Sequence, residues 1–216
     1  MTSSLKSKSI NLANPILNYM MRNTLNVLGV AGSIRHGSYS TRGLKIALEY
    51  AKAQGAEVRL LELSKVVLPL YDPTAPASKD IEYASEVTAW ADAFILASPD
   101  YHGSISGALK NFLDYFYEEF AGKVFGYVVA SHEKGLTVMD QMRTAVRQCY
   151  GWSMPYGVSI NGPQDFTGDE IKNTRLTNRL RMMTRDLIVY GRLLRDQFIR
   201  DFSSTEPDTF AAFYRP

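Results

Sequence analysis

The sequence predicts an α/β fold in which a parallel β-sheet lies between two layers of helices, a doubly wound three-layer sandwich. From residue 24 onwards, five short apolar runs alternate with longer amphipathic stretches, which is typical of consecutive βαβ units. The chain has 216 residues, a length that suits one domain of this kind. We therefore expect one domain over residues 24–200, preceded by an N-terminal arm at 1–23 and followed by a C-terminal tail at 201–216.

The alternation predicts the position of each element. The predicted strands cover residues 25–31, 58–63, 93–97, 124–130 and 154–160. The first predicted helix stops near Gly55, and the others cover about residues 80–91, 107–117, 139–149 and 169–198. The last helix has the apolar stripe of a helix that packs on a sheet. Its members are Leu176, Leu180, Met183, Leu187, Tyr190, Leu194 and Phe198.

Composition and charge exclude several classes of protein. Hydrophobic residues make up 45% of the chain and charged residues 21%, which excludes wholesale disorder and a fibrous structure. The formal net charge of +2 provides no strong basic surface, so we expect no nucleic-acid partner. The one cysteine, Cys149, permits no internal disulfide and indicates a reducing compartment, and we expect it to be a buried hydrophobic residue. No apolar run reaches the ~18 residues of a membrane span.

The N-terminal arm bears on the location of the protein. It is rich in serine and lacks acidic residues, as organelle transit peptides do, but it has a single arginine and no clear amphipathic period. Asparagine and proline between positions 11 and 18 interrupt the apolar core that a secretory signal needs. We expect a cytoplasmic protein, with organelle import through residues 1–23 left open.

Ligands of doubly wound sheets bind beyond the carboxyl ends of the strands, so the loops after the first, third and fourth strands are the candidates. The first of them, residues 32–41, contains four Ser and Thr hydroxyls, an arginine and two glycines. Backbone amides at a helix start, together with a guanidinium, form a site for phosphate oxygens. The alternative is an ordinary helix cap, in which the hydroxyl of Ser40 or Thr41 accepts from the first amides. Because that would leave Ser33, Arg35 and Ser38 unexplained, we favour a phosphate site.

The spacing of the glycines limits the kind of phosphate. Gly32 and Gly37 have the spacing of a P-loop, but Ser38 and Tyr39 stand where a P-loop requires lysine and a hydroxyl residue. The dinucleotide fingerprint G-x-G-x-x-G is absent, because Gly29 and Gly32 are three residues apart. A hydroxyl-rich turn without an acidic ligand for ribose suits a terminal monophosphate, such as that of FMN.

The second loop carries a specific resemblance. The stretch Ala97-Ser-Pro-Asp-Tyr-His-Gly-Ser-Ile-Ser-Gly107, together with Gly32-Ser-Ile-Arg-His-Gly-Ser38, resembles the NAD(P)H-dependent FMN reductase family. Its members include chromate, azo-dye and quinone reductases and the related arsenic-resistance flavoproteins. The family pattern is Gly-Ser-x-Arg-x-x-Ser, then Ser-Pro-acidic-Tyr-Asn/His-Gly-Ser, then a loop with hydroxyls and glycine after the fourth strand. The resemblance spans about residues 24–165.

This resemblance implies a flavodoxin-like three-layer sandwich, a five-stranded parallel sheet of order 2-1-3-4-5, and FMN as the cofactor. The implied contacts with the FMN phosphate are Ser33, Arg35, Ser38 and Ser40. The implied contacts with the flavin ring and the ribityl chain are Pro99, Asp100, Tyr101, His102 and Gly103. Ser131 and Gly135 form the far wall. In that third loop, Glu133 and Lys134 stand where the family is often richer in glycine.

The resemblance also implies the reaction. NADPH or NADH, as co-substrate, would deliver hydride to flavin N5 and leave, and a small-molecule electron acceptor would then take its place in ping-pong turnover. The expected acceptors are quinones, flavins, azo dyes and metal ions. We predict no catalytic acid or nucleophile, and no metal site, because His36, His102 and His132 lack carboxylates at fixed spacing. Two alternatives stay open: a flavodoxin-type electron carrier that does not use nicotinamide, and a flavin-less module of the same fold.

The third predicted helix indicates a subunit interface. Apolar and aromatic side chains occur all round it and just beyond its end, and one sheet covers only one side of a helix. These residues are Phe112, Leu113, Tyr115, Phe116, Tyr117 and Phe120. We therefore expect a homodimer or homotetramer, with residues 1–23 wrapped on a partner.

Overall fold

The structure is a computed structural model and describes residues 24–215; the predicted N-terminal arm lies outside them. The strands are β1 (Asn26–Ala31), β2 (Glu57–Glu62), β3 (Ala93–Pro99), β4 (Val124–Ala130), β5 (Trp152–Ser153), β6 (Val158–Ile160), β7 (Phe166–Thr167) and β8 (Glu170–Ile171). The helices are α1 (Tyr39–Ala53), α2 (Lys79–Trp90), α3 (Gly107–Tyr115), α4 (Leu136–Gln148), α5 (Gly162–Asp165) and α6 (Thr174–Ser203). Among the helices of this described part, none is long and apolar enough to span a membrane.

The main sheet is parallel and has the order β2-β1-β3-β4-β5, which confirms the predicted 2-1-3-4-5 topology. Strands β1 and β3 are buried at every position because helices cover both faces of the sheet. One hydrophobic core lies on the face covered by α1 and α6, and the other on the face covered by α2, α3 and α4. The predicted three-layer sandwich is therefore confirmed.

The fifth strand differs from the prediction. Residues 154–160 were expected to form one strand, whereas only Val158–Ile160 of this run do so, as β6. The strand β5 lies just before the run, at Trp152–Ser153, and both short strands pair with β4 in parallel. Pro155, between them, has no N–H to donate to a neighbouring strand. Gly157 passes so close to β4 that a Cβ there would lie 3.1 Å from the Cβ of Tyr127. The segment therefore bends between two short contacts with the same strand.

The last helix starts later than predicted, and a different residue of it faces the sheet. Residues 162–171 form α5 and the antiparallel pair β7–β8, in which Gly168 has a positive φ of 56°, so α6 begins at Thr174 and not near Asp169. Tyr190, expected in the buried stripe, is 49% exposed. Gly191 faces the core instead, where a Cβ would lie 2.9 Å from Leu25, so the helix approaches the sheet at that glycine.

The residues of α3 that predicted a subunit interface are mostly covered within the chain. Helix α3 ends at Tyr115, two residues earlier than expected, and the chain then turns back through a 3₁₀ turn at Glu118–Phe120. Phe112, Phe116 and Phe120 join an aromatic cluster in the core, and Leu113 is buried beside them. Tyr117 is 51% exposed. The turn thus buries side chains that a longer straight helix would have left uncovered.

Residues 24–195 form one compact unit, and residues 196–215 belong to a second. The boundary falls within α6, near the expected domain end at residue 200. In the second unit the rings of Phe198, Phe210 and Tyr214 lie with their centroids 5.3–6.3 Å apart. The guanidinium of Arg215 donates to the carbonyl of Phe202 and to that of Asp201. The expected tail at 201–216 is thus held by its own contacts over the described residues.

Candidate functional site

The three loops singled out from the sequence lie side by side, because β1, β3 and β4 are neighbours in a parallel sheet. The N–H of Gly32 donates to the carbonyl of Ala97 over 2.8 Å, and the hydroxyl of Ser106 donates to the carbonyl of Gly32 over 2.6 Å. The N–H of Asp100 donates to the carbonyl of Ala130 over 2.8 Å. Hydrogen bonds therefore join the first loop to the second and the second to the third.

The start of α1 does not have an ordinary side-chain cap. Ser38 occupies the N-cap position, but its side chain makes no capping hydrogen bond. The first N–H groups of a helix, here those of Tyr39, Ser40 and Thr41, have no acceptor within the helix. The hydroxyls of Ser38 and Ser40 are buried and lie 2.9 Å apart, so they bond to each other. Ser40 and Thr41, the expected caps, lie inside the helix, and Ser38 at the N-cap makes no capping bond. Within residues 24–215, no side-chain hydrogen bond uses the first amides of α1, so they can donate to another acceptor.

An arginine precedes the N-cap of this helix by three residues. Arg35 is exposed and forms no ion pair with any residue that the structure describes. Ser33 is buried, and its Oγ accepts the N–H of Arg35 over 3.2 Å, which leaves the hydroxyl proton of Ser33 free to donate. An unpaired guanidinium next to the positive end of a helix dipole is an arrangement that favours a phosphate group.

The second loop forms a tight turn over residues 101–104. Tyr101 and Ser104 exchange two backbone hydrogen bonds of 3.0 and 3.1 Å. The two central residues, His102 and Gly103, have positive φ values of 57° and 75°, as in a type I′ turn. A non-glycine residue with positive φ is uncommon, and such conformations cluster at functional sites. Tyr101 is 45% exposed at the edge of this turn.

Asp100 and Ser131 hold the loops together. One carboxylate oxygen of Asp100 accepts the N–H of Gly103, and the other accepts the hydroxyl of Ser131, both over 2.8 Å. Pro99 is buried, and its carbonyl accepts the hydroxyl of Ser98 over 2.7 Å. Of these implied contacts with the flavin, Asp100 and Ser131 thus have partners within the protein, and they position the turn and the third loop.

Gly135 ends the third loop as the N-cap residue of α4, with a positive φ of 59°. A Cβ at this position would lie 2.5 Å from Cγ1 of Val129, so packing alone requires glycine there. Glu133 and Lys134 are exposed. The backbone carbonyl of His132 accepts the side-chain amide of Asn161 over 3.0 Å, which ties the third loop to the segment after β6.

The sequence did not reveal two parts of this edge. The first is the β7–β8 hairpin beside the start of α1, where the rings of Tyr39 and Phe166 lie 5.6 Å apart and Arg42 donates to the carbonyl of Gly168 over 2.7 Å. The second is Gln141 of α4, which bonds to the turn at residues 101–104. Gln141 lies on the exposed side of an amphipathic helix, so no local signal distinguishes it from a solvated residue.

Cys149 lies apart from these loops. It is half-buried at the end of α4, with Sγ 3.9 Å from the carbonyl oxygen of Phe116. Burial raises the pKa of the Cys149 thiol, and the carboxylates of Asp114 and Glu119 raise it further. A raised pKa lowers the thiolate fraction at neutral pH, as expected for a cysteine that is not a nucleophile. Within residues 24–215, no three His, Cys, Asp or Glu side chains form a group that could hold a metal ion.

A parallel sheet of order 2-1-3-4-5 with helices on both faces defines the flavodoxin-like class, in which FMN binds where the strand order reverses. The model of the family NADPH-dependent FMN reductase matches residues 25–164, and the chain belongs to that family. The resemblance seen in the loops is thereby confirmed. As a member of this family, the chain has FMN as its cofactor.

Individual relatives and structures agree with this assignment. The chain is 34% identical over 98 residues to an NAD(P)H-dependent FMN reductase of Pseudomonas aeruginosa, over 44% of this chain and 51% of that protein. It is 35% identical over 102 residues to an NAD(P)H:quinone oxidoreductase of Solanum tuberosum, over 42% of this chain and 49% of that protein. The chain thus spans about half the length of these relatives. The flavoenzyme FerB of Paracoccus denitrificans, an NAD(P)H:(acceptor) oxidoreductase, has the same fold, with a TM-score of 0.67, 16% identity, and coverage of 79% of this chain and 98% of that one.

The residues at this edge fit FMN. The uncapped amides of α1 and the unpaired Arg35 suit a phosphate dianion, and the hydroxyl of Ser33 can donate to it. At the turn, no hydrogen bond within residues 24–215 uses the N–H of His102, so it can donate to an acceptor atom of the flavin ring. The two sets of donors lie on joined loops, as the two ends of one cofactor require.

Proposed function

We propose that this chain is an NAD(P)H-dependent oxidoreductase that binds FMN across its three loops and passes electrons to a small-molecule acceptor. The observation that carries the proposal is the N-terminus of α1, which has no side-chain cap within residues 24–215, together with the exposed Arg35 just before it, which forms no ion pair with any described residue. The names of the relatives support the choice of nicotinamide as donor and of a quinone as the first acceptor to test. Free flavin, azo dyes and metal ions are further acceptor classes, and the proposed compartment is the cytoplasm.

Each group of residues has a distinct role in this proposal. Arg35, Ser33, Ser38, Ser40 and the first amides of α1 hold the phosphate, and the bond between the Ser38 and Ser40 hydroxyls also fixes the shape of the loop. Residues 99–103 contact the flavin ring, and Ser131 and Gly135 close its far side. FMN held by these residues would supply hydride and electron transfer between a nicotinamide and the acceptor. The protein positions the ring and excludes water, so no residue is assigned as a catalytic acid or base.

The two half-reactions can be tested separately. Under anaerobic conditions, reduced nicotinamide is expected to bleach the visible absorbance of the FMN-loaded protein, because the bound flavin accepts the hydride. Addition of a benzoquinone is then expected to restore the colour without further nicotinamide. Stopped-flow absorbance near the flavin maximum measures both steps, and parallel initial-rate lines for the two substrates would indicate ping-pong turnover.

The same experiment separates the two alternatives. A flavodoxin-type carrier would be reoxidised by quinone after photoreduction but would not be bleached by either NADPH or NADH. A flavin-less module would stay colourless after incubation with FMN and gel filtration. Either result would overturn the proposed function.

The proposed assembly is a homodimer or homotetramer, supported by an ordered apolar surface beside the first loop. Val67 and Leu70, in the loop after β2, are 70% and 86% exposed, and Ile34 of the first loop is 67% exposed. Asn111 of α3 fixes this loop, since its side chain donates to the carbonyl of Pro69 over 2.7 Å and accepts a backbone N–H from Tyr71 over 2.8 Å. Apolar side chains held outward on an ordered loop are typical of a protein–protein interface.

Light scattering measures this assembly. The full-length protein is expected to have at least twice the chain mass of 24.2 kDa. The double substitution Val67→Ser and Leu70→Ser is expected to lower the mass to that of one chain, since it removes apolar area from the interface. A variant without residues 1–22 tests the expected role of the arm. A full-length mass near 24 kDa would disprove the oligomer, and an unchanged mass for the truncated variant would disprove only the role of the arm.

A further inference from the structure

Gln141 of α4 makes three hydrogen bonds to the turn at residues 101–104 and its flank. Its Oε1 accepts the hydroxyl of Ser104 over 2.9 Å and the backbone N–H of Ile105 over 3.1 Å. Its Nε2 donates to the carbonyl of Gly103 over 3.3 Å. A carboxamide is suited to this position because it has both an acceptor oxygen and a donor nitrogen.

Two side chains thereby hold the peptide groups of Gly103. Asp100 accepts the N–H of Gly103, and the Nε2 of Gln141 donates to its carbonyl. The backbone bonds between Tyr101 and Ser104 close the turn, but they do not attach it to a helix. Asp100 belongs to the same loop, so Gln141 is the link from this turn to α4.

The turn has a conformation that needs such support. His102 and Gly103 both have positive φ, and at His102 this is unfavourable for a residue with a Cβ. A conformation of this kind persists when surrounding contacts determine it. The N–H of His102, which no hydrogen bond uses within residues 24–215, has its direction set by the same turn.

We propose that Gln141 is a positioning residue for the flavin, which acts by fixing the turn so that the N–H of His102 is directed at the flavin ring. The proposal rests on the proposed function, because it requires the ring to bind at residues 99–103. Gln141 does not itself contact the cofactor in this proposal. Its loss should therefore affect the ring end of FMN and leave the phosphate end unchanged.

The experiment compares FMN with riboflavin, which has the same ring but no phosphate. Gln141→Leu is expected to weaken the binding of both flavins by about tenfold, as the loss of a positioned hydrogen bond would. The ratio of the two Kd values should stay that of the unsubstituted protein. Fluorescence quenching of the free flavin by the apoprotein measures both constants. The midpoint potential of bound FMN should also become more negative, because a donor near the ring stabilises the reduced, more electron-rich form.

Two further variants control this experiment. Gln148→Leu makes the same substitution on the same helix, at a residue that is exposed. It should leave both Kd values and the midpoint potential unchanged. Gln141→Glu keeps the two accepted bonds and loses the donated one, so its effect should be intermediate. Circular dichroism of the apoprotein variants checks that each remains folded.

The outcomes separate this inference from the proposed function. If Arg35→Ala weakens the binding of FMN but Gln141→Leu changes neither flavin affinity nor midpoint potential, the site stands and the role of Gln141 is disproved. If Gln141→Leu weakens FMN alone and leaves riboflavin unchanged, the residue acts on the phosphate end and the inference is also disproved. If neither flavin binds the unsubstituted protein, the proposed function itself fails.

Discussion

Replacing Arg35 with alanine is expected to weaken FMN binding by about 1.5–3 kcal/mol, roughly 10- to 150-fold in Kd. The guanidinium is exposed, unpaired within the described residues, and next to a helix terminus without a side-chain cap, so a phosphate would form a charge-assisted hydrogen bond with it. Titration of the apoprotein with FMN, followed by fluorescence quenching, measures the change. The loss should shrink at high salt, because screening already weakens the interaction in the unsubstituted protein.

Three comparisons make this result specific. Arg175→Ala removes an exposed arginine at the start of α6 and should leave the affinity for FMN unchanged. Arg35→Lys should lie between the two, since an ammonium keeps the charge but lacks the planar pair of donors. Riboflavin binding should be the same with and without the substitution, because riboflavin has no phosphate. An unaltered affinity of the Arg35→Ala variant for FMN would refute the phosphate assignment.

The topology of the sheet could be predicted because its signal is repeated along the chain. Buried strands such as β1 and β3 have apolar residues at nearly every position, and the amphipathic stretches between them require parallel crossovers. The order 2-1-3-4-5 came from the resemblance in the loops, which local periodicity alone does not specify. The elements that were placed correctly are those in which local pattern and tertiary packing agree.

The errors occur where a contact distant in sequence decides the local structure. The run 154–160 has the pattern of one strand, but only its last three residues form one, β6. The other short strand, β5, lies before Pro155 and outside the run, and both pair with β4. The aromatic residues after α3 predict a longer helix, but a turn places Phe116 and Phe120 in the core. Propensity is a weak prior in such places because tertiary packing overrides it.

The residues of the candidate site could be predicted from the sequence, but the hydrogen-bond partners of each residue could not. The three loops and their hydroxyls, arginine and glycines were found from order in the sheet and from the resemblance. In contrast, the hydroxyl of Ser131 donates to the carboxylate of Asp100. The two residues are 31 positions apart, and the sequence of neither loop indicates that they bond to each other. Gln141 bonds to Ile105 across 36 positions. Side-chain partners so far apart in sequence are set by the fold, so a single sequence does not disclose them.

Of the substitutions proposed here, Gly32→Ala is expected to lower the free energy of unfolding most, because this glycine of the first loop is packed tightly against β3 and α3. A Cβ at Gly32 would lie 2.7 Å from the Cβ of Leu109 and 2.8 Å from the carbonyl oxygen of Ala97. Both atoms are fixed to backbone, so relief requires β3 or α3 to move. We expect a loss of about 3 kcal/mol in the free energy of unfolding, which corresponds to a fall of about 6–12 °C in Tm. Thermal unfolding followed by circular dichroism measures it.

Gly107→Ala is the matched control, because it adds the same methyl group next to Ser106, whose hydroxyl bonds to the carbonyl of Gly32. No heavy atom lies within 4 Å of a Cβ at Gly107, and the residue is the first of α3 in helical conformation. Alanine should be neutral there or raise Tm by about 1–4 °C, since it lowers the entropy of the unfolded chain. FMN affinity should fall in the Gly32→Ala variant, since the first and second loops meet at Gly32, and should be retained in Gly107→Ala. Equal stability of the two variants would show that a Cβ at Gly32 does not clash with Leu109 and Ala97, and would remove the packing argument for glycine at this position.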